Sequence, residues 1–281
     1  DLKIYCSEIL AKQGRIEIDM LSQAYQLSRF KASEIENSLK LYKTLSPAKA
    51  RPLLFQSILK EKNTEQKLKK IIALLKSSQI DNMISPISHL VYDLIPSEKV
   101  KISVEDTLLL SRMYQSKNKI LEASNILDDI EISNLTIDVH LRKISLLTKQ
   151  SLDSGYLDES KLEEHLTSLK KKGKINSEKF KKILMVLVLN MELSQNIINI
   201  ISDFDFSESD KSERGSLNNL FLAEKFSQNK DIFNSLEIFF RIFSKRDFED
   251  LSLLENYQIL KILKTFGLDS YHKRLTENIL L

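Results

Sequence analysis

Apolar residues return every three or four positions along almost the whole chain. Leu2, Tyr5, Cys6, Ile9 and Leu10 fall at i, i+3, i+4, i+7 and i+8, the spacing of one helix face turned to a core. Gly14 follows, where a helix C-terminus favours a residue free to take positive φ. The same spacing predicts further helices at about 18–29, 33–45, 47–62, 64–78, 84–94, 103–116, 119–130, 134–153, 159–172, 176–190 and 193–202, then about 213–228, 230–244, 247–265 and 268–280. Start signals agree with it. Ser46-Pro47 and Ser85-Pro86 read as an N-cap followed by Pro at the first helical position. Ser33 to Glu36 and Ser160 to Glu163 have the capping-box form. Thr136 reads as a helix-start residue. The most apolar run, Ile183 to Leu189, is far short of the roughly 18–20 residues that cross a bilayer, and predicts a buried helix.

The polar, Ser-rich stretch 203–215 (DFDFSESDKSERG) is the clearest interruption and predicts a long loop anchored by Phe204 and Phe206. Periodicity resumes beyond it, so residues 1–281 are expected to form one continuous array. Turn residues support an all-α class: with 5 Gly and 4 Pro in 281 residues, the chain lacks what a sheet protein uses to turn every 8–12 residues or so. About fifteen helices, near one per 19 residues, is the spacing of paired-helix repeats. The expected fold is an α-α superhelix, a solenoid of antiparallel helix pairs.

Two segments align without gaps. Leu110-Ser111-Arg112-Met113-Tyr114 leads into Ile120, Ala123, Leu127 and Ile130; Leu222-Ala223-Glu224-Lys225-Phe226 leads into Ile232, Ser235, Phe239 and Ile242. In each, a small residue precedes an aromatic by three positions, and a second small residue follows the aromatic by nine. This pattern resembles the tetratricopeptide repeat, whose small residues let two helices approach closely. The family's Trp and Gly-Tyr positions and its closing Pro are absent. The resemblance implies a concave groove lined by the first helix of each pair, with Arg112, Gln115, Glu224 and Ser227 facing it, and a protein or peptide segment as occupant.

Charge changes this picture little. Lys plus Arg number 42 and Asp plus Glu 39, close to balance, where nucleic-acid binders carry a concentrated basic excess. The densest basic cluster is Lys170, Lys171, Lys172, Lys174, Lys179, Lys181 and Lys182. It is a candidate contact for nucleic acid, an anionic surface or an acidic partner, or else lysines favoured at a helix C-terminus. The Phe-rich run Ile232, Phe233, Leu236, Phe239, Phe240 and Phe243 has the spacing of a buried helix face.

Catalytic chemistry finds no foothold in the sequence. The five glycines are isolated, so no phosphate loop or dinucleotide fingerprint can be built. His89, His140, His165 and His272 lack the close pairing of a metal site, and read as structural. Cys6 is the only cysteine, which excludes an internal disulfide; it fits a reducing cytosol and equally an exported bacterial protein. A first residue other than Met fits a removed leader or a trimmed boundary. No catalytic residue, metal ligand or cofactor is expected. The expected function is a non-enzymatic protein-binding scaffold. The alternatives are the helical body of a larger enzyme or envelope complex, and a nucleic-acid-binding helical repeat.

Overall fold

The computed structural model describes residues 2–98, 100–131, 135–172, 177–204 and 252–280, together with 223, 225, 228, 229, 231, 233–235 and 237. Every described element is helical. Packing divides the chain into two compact units, Asp1–Leu135 and Thr136–Leu281, where the sequence predicts one continuous array.

The first unit contains α1 (Leu2–Lys12), α2 (Ile18–Gln26), α3 (Ala32–Glu36), α4 (Ser38–Leu41), α5 (Pro47–Lys60), α6 (Thr64–Gln79), α7 (Ile84–Val91) with a 3-10 turn at Tyr92–Leu94, α8 (Val104–Ser116) and α9 (Ile120–Asp128). Most helices adjacent in sequence pack together, α2 and α3 also pack on α5, α6 packs on α8, and α1 and α2 reach α7. Leu21, Tyr25, Leu54, Ile71, Leu74, Ile87 and Met113 form its core. Tyr25 meets Phe55 edge to face at 5.9 Å.

The second unit contains α10 (Ile137–Ser154), α11 (Glu159–Lys171), α12 (Glu178–Asn190), α13 (Gln195–Ser202), α14 (Leu253–Thr265) and α15 (Asp269–Leu280). Its core centres on Leu162, Leu166, Phe180, Ile183, Leu187, Ile259 and Leu275. Here α15 packs on α10 and α12, far from both in sequence. Arg142 Nη1 donates to the Leu280 carbonyl at 3.2 Å, and Ser145 Oγ donates to the same oxygen. Lys149 Nζ reaches Glu277 at 3.0 Å and Asp153 at 2.8 Å. Burial disfavours the Lys149 charge, but these two carboxylates outweigh it and hold its pKa above the usual lysine range.

Boundaries follow the predicted ones closely, and the differences have local causes. The expected helix at 33–45 is two short ones, α3 and α4, separated at Asn37. Only half of its capping box forms, two residues early: Glu34 accepts from the Lys31 amide at 2.7 Å, while the Lys31 side chain has no acceptor to return. The box expected at Ser160 does not form, because Asp158 already caps α11 by accepting from the Lys161 amide. Ser85 is no N-cap, since α7 begins at Ile84. Ser46-Pro47 and Thr136 do open helices as predicted. Gly14 and Gly155 take φ of +67° and +72° just past α1 and α10, which only Gly does at no steric cost.

The buried helix predicted around 183–189 is α12, with Ile183, Leu184, Val186 and Leu187 inside and Val188 exposed. Among the described residues no helix is long and apolar enough to cross a membrane. Of the expected loop at 203–215, Asp203 and Phe204 are described. Phe204 meets Phe180 edge to face at 4.9 Å. Phe206 and the remainder lie outside the described residues.

Candidate protein-binding surfaces

The pair α8–α9 is the first of the two aligned repeat segments. A three-residue connection turns the chain back, with Asn118 at φ +58°. Ser111 on α8 and Ala123 on α9 are both fully buried, and Ser111 Oγ donates to the Ala123 carbonyl at 2.9 Å. In the second segment, Ala223 and Ser235 stand 112 residues further on. They are also fully buried, and Ser235 Oγ donates to the Ala223 carbonyl at 3.0 Å. Donor and acceptor have exchanged places between the segments, and at 111 and 123 the small residues meet where α8 packs on α9. A small side chain allows that approach, since a larger one would push the backbones apart. Ala123→Leu is therefore expected to cost about 1–3 kcal/mol. Urea unfolding of the full chain measures this, and an unchanged midpoint would show that the crossing has room to spare.

The groove positions are not all open. Arg112 is half-buried. Gln115 is 5% exposed, and its Oε1 has no hydrogen-bond partner among the described residues. Gln115 is thus an interior residue of the first unit, on a helix packed by α6, α7 and α9. Glu224 and Ser227 lie outside the described residues.

Nor do the lysines form one free basic face. Lys170 pairs with Asp203 at 2.5 Å, and Lys182 with Glu178 at 3.6 Å. Lys181 is buried. Lys172 and Lys179 have partners of their own. Lys171 is exposed, and Lys174 lies outside the described residues. Phe233, predicted on a core face, is exposed. It sits two residues, about 200° of helix, from fully buried Ser235.

Two histidines that look isolated in sequence are brought together. His140 on α10 and His165 on α11 have ring centroids 5.6 Å apart. His140 is buried, and its Nδ1 has no hydrogen-bond partner among the described residues. Burial lowers its pKa, the charges of Lys172 and Lys143 lower it further, and Glu164 partly opposes them. No group of three His, Cys, Asp or Glu suited to a metal exists among the described residues. With the folded pKa depressed, the unfolded chain takes the proton first. The stabilisation from keeping His140 neutral is full above about pH 6.5 and is lost as pH falls toward and through its folded pKa. A His140→Gln variant should show a thermal midpoint that changes less between pH 7.5 and pH 5.5 than wild type; parallel curves would refute this.

The helix α1 is turned the opposite way from its sequence prediction. Leu2, Tyr5 and Ile9 are 76%, 57% and 38% exposed, and Cys6 is exposed with them. The side facing the core carries Glu8 and Ala11. Glu8 accounts for the inversion. Arg51 on α5 donates through Nε to Glu8 Oε1 at 2.7 Å and through Nη2 to Oε2 at 2.6 Å. Tyr25 Oη donates to Oε1 at 2.6 Å. The remaining guanidinium nitrogen, Nη1, reaches Asp81 Oδ2 at 2.9 Å and the Ser77 carbonyl at 3.1 Å. Burial, then the Glu8 charge, pushes the Tyr25 phenol above its usual range, so it stays a donor. Burial works against the Arg51 charge, but its bonds to Glu8 outweigh that and raise its pKa. A two-point charge pair, with all three guanidinium nitrogens hydrogen-bonded, fixes which side of α1 faces inward. The apolar residues one half-turn away are left in water.

No protein-family model, no curated protein and no solved structure matches the chain.

Proposed function

We propose that the chain is a non-enzymatic, protein-binding scaffold built from helix pairs, with the α8–α9 segment and its counterpart near 220–242 as degenerate units similar to tetratricopeptide repeats. One observation carries the proposal: α1 holds its only internal carboxylate inside and presents Leu2, Tyr5, Cys6 and Ile9 to solvent. A solvated apolar stripe at i, i+3, i+4 and i+7 is the footprint of a surface used for association. The matched small residues at 111 and 123, and at 223 and 235, support the repeat character. The internal pairing of Lys170 and Lys182 does not favour a nucleic-acid interface, which needs basic groups available to phosphates.

The test is affinity capture of the tagged full chain from its native organism after nuclease treatment, with the bound material identified by mass spectrometry. Recovery of a defined protein in near-stoichiometric amount is expected. Recovery of nucleic acid alone, or of nothing, would sink the proposal.

A further inference from the structure

We infer that the outer face of α1 seats an acidic amphipathic helix of a partner protein, an inference that rests on the scaffold reading and gives its partner a chemistry. Leu2, Tyr5, Cys6 and Ile9 occupy two successive turns, about 10 Å of helix axis. Two turns of a second helix with its own i, i+3, i+4, i+7 residues match that length, at the 8–10 Å or so between packed helix axes.

Charge selects among possible occupants. Lys3 lies one turn from Cys6, and Lys12 one turn from Ile9; the two are half a revolution apart, so they border the stripe on opposite edges. Both are exposed, and Arg15 beyond the helix is exposed as well. Glu8, the only carboxylate within α1, is committed to Arg51 inside. The rim is basic with no acidic counterweight on its own helix. A partner helix with Glu or Asp flanking its apolar residues satisfies both edges. A second copy of this chain would set lysine against lysine. Two lysines and two apolar turns give only weak, reversible attachment to an anionic bilayer.

Cys6, the sole cysteine, reports on coverage of the face without an added label. The experiment follows Cys6 alkylation by iodoacetamide in the full chain with three probes: a helical peptide bearing Leu at i, i+3, i+4 and i+7 with flanking Glu, its Lys-for-Glu counterpart, and phosphatidylglycerol vesicles. The acidic peptide is expected to slow alkylation about tenfold when nine-tenths of the sites are filled. Protection should disappear in Ile9→Glu, and should transfer to the Lys peptide in a Lys3→Glu, Lys12→Glu variant. These side chains are solvent-exposed or lie on the exposed edge, so an unchanged circular dichroism spectrum and thermal midpoint will confirm that the variants fold. Equal protection by both peptides, protection by vesicles without the acidic peptide, concentration-dependent protection in the chain alone, or no protection at all would each overturn the inference. If partner capture from the native organism survives Ile9→Glu, the scaffold reading stands and this inference falls. If capture fails in wild type, the scaffold reading itself falls.

Discussion

Arg51→Met is expected to destabilise the first unit by about 3–5 kcal/mol, because it strands Glu8 in the interior without its charge partner. Glu8 is 5% exposed and Arg51 still less, so neither can turn to water in place. The loss is larger than a missing pair of neutral hydrogen bonds would give: Tyr25 keeps its bond to Glu8, but one hydroxyl cannot neutralise a buried carboxylate. Removing the charge from both partners should recover much of the cost. A Glu8→Gln, Arg51→Met variant is expected to lie closer to wild type than Arg51→Met alone. Guanidinium unfolding of the three variants measures this. If single and double variants unfold together, charge burial is not what holds α1 in place. The same series tests the inverted face, since an α1 freed from Glu8–Arg51 has no reason to keep Leu2, Tyr5 and Ile9 outward; faster or slower Cys6 alkylation in Arg51→Met would register the rotation.

Phe180→Ala is the second large effect, expected at about 3–5 kcal/mol on the second unit. The ring is almost fully buried near the start of α12, among the Leu, Ile and Val side chains of the core. It also forms the edge-to-face contact with Phe204, worth about 0.5–1.5 kcal/mol beyond burial. Phe204 sits at the margin of that core, so Phe204→Ala should cost less than Phe180→Ala. Calorimetry on both variants checks the order. Equal losses would mean that the pair contact, and not the cavity left by Phe180, dominates.

Helix existence was legible in the sequence because 3.6-residue periodicity follows directly from which side chains leave water. The capping residue differs from the predicted one where two candidates compete, as Asp158 does with Ser160 and Glu34 with Glu36. The face of α1 was not legible. Burial of Leu2, Tyr5 and Ile9 is the favourable choice for an isolated helix, and what overrides it, Arg51, lies 43 residues away with nothing local to announce it. Tyr25 contributes the same way from another helix. The His140–His165 contact was hidden for a related reason: 25 residues separate them, and only the register of α10 on α11 brings the rings together. Ser111 and Ala123 were legible because their spacing recurs at 223 and 235. The burial of Gln115 was not legible, because spacing within α8 and α9 says nothing of α6 and α7, which pack on α8 as well.

The bonds from Arg142 and Ser145 to the Leu280 carbonyl join residues 138 and 135 positions apart. During synthesis, α10 emerges early in its unit, before the Leu280 carbonyl that Arg142 and Ser145 bond and before Glu277, the second carboxylate at Lys149. At roughly 5–20 residues per second, Leu280 follows Arg142 by about 7–30 seconds. The first unit ends at Leu135 and can complete its core during that interval. The second cannot, because α10 must wait for α15 to leave the ribosome before these bonds close.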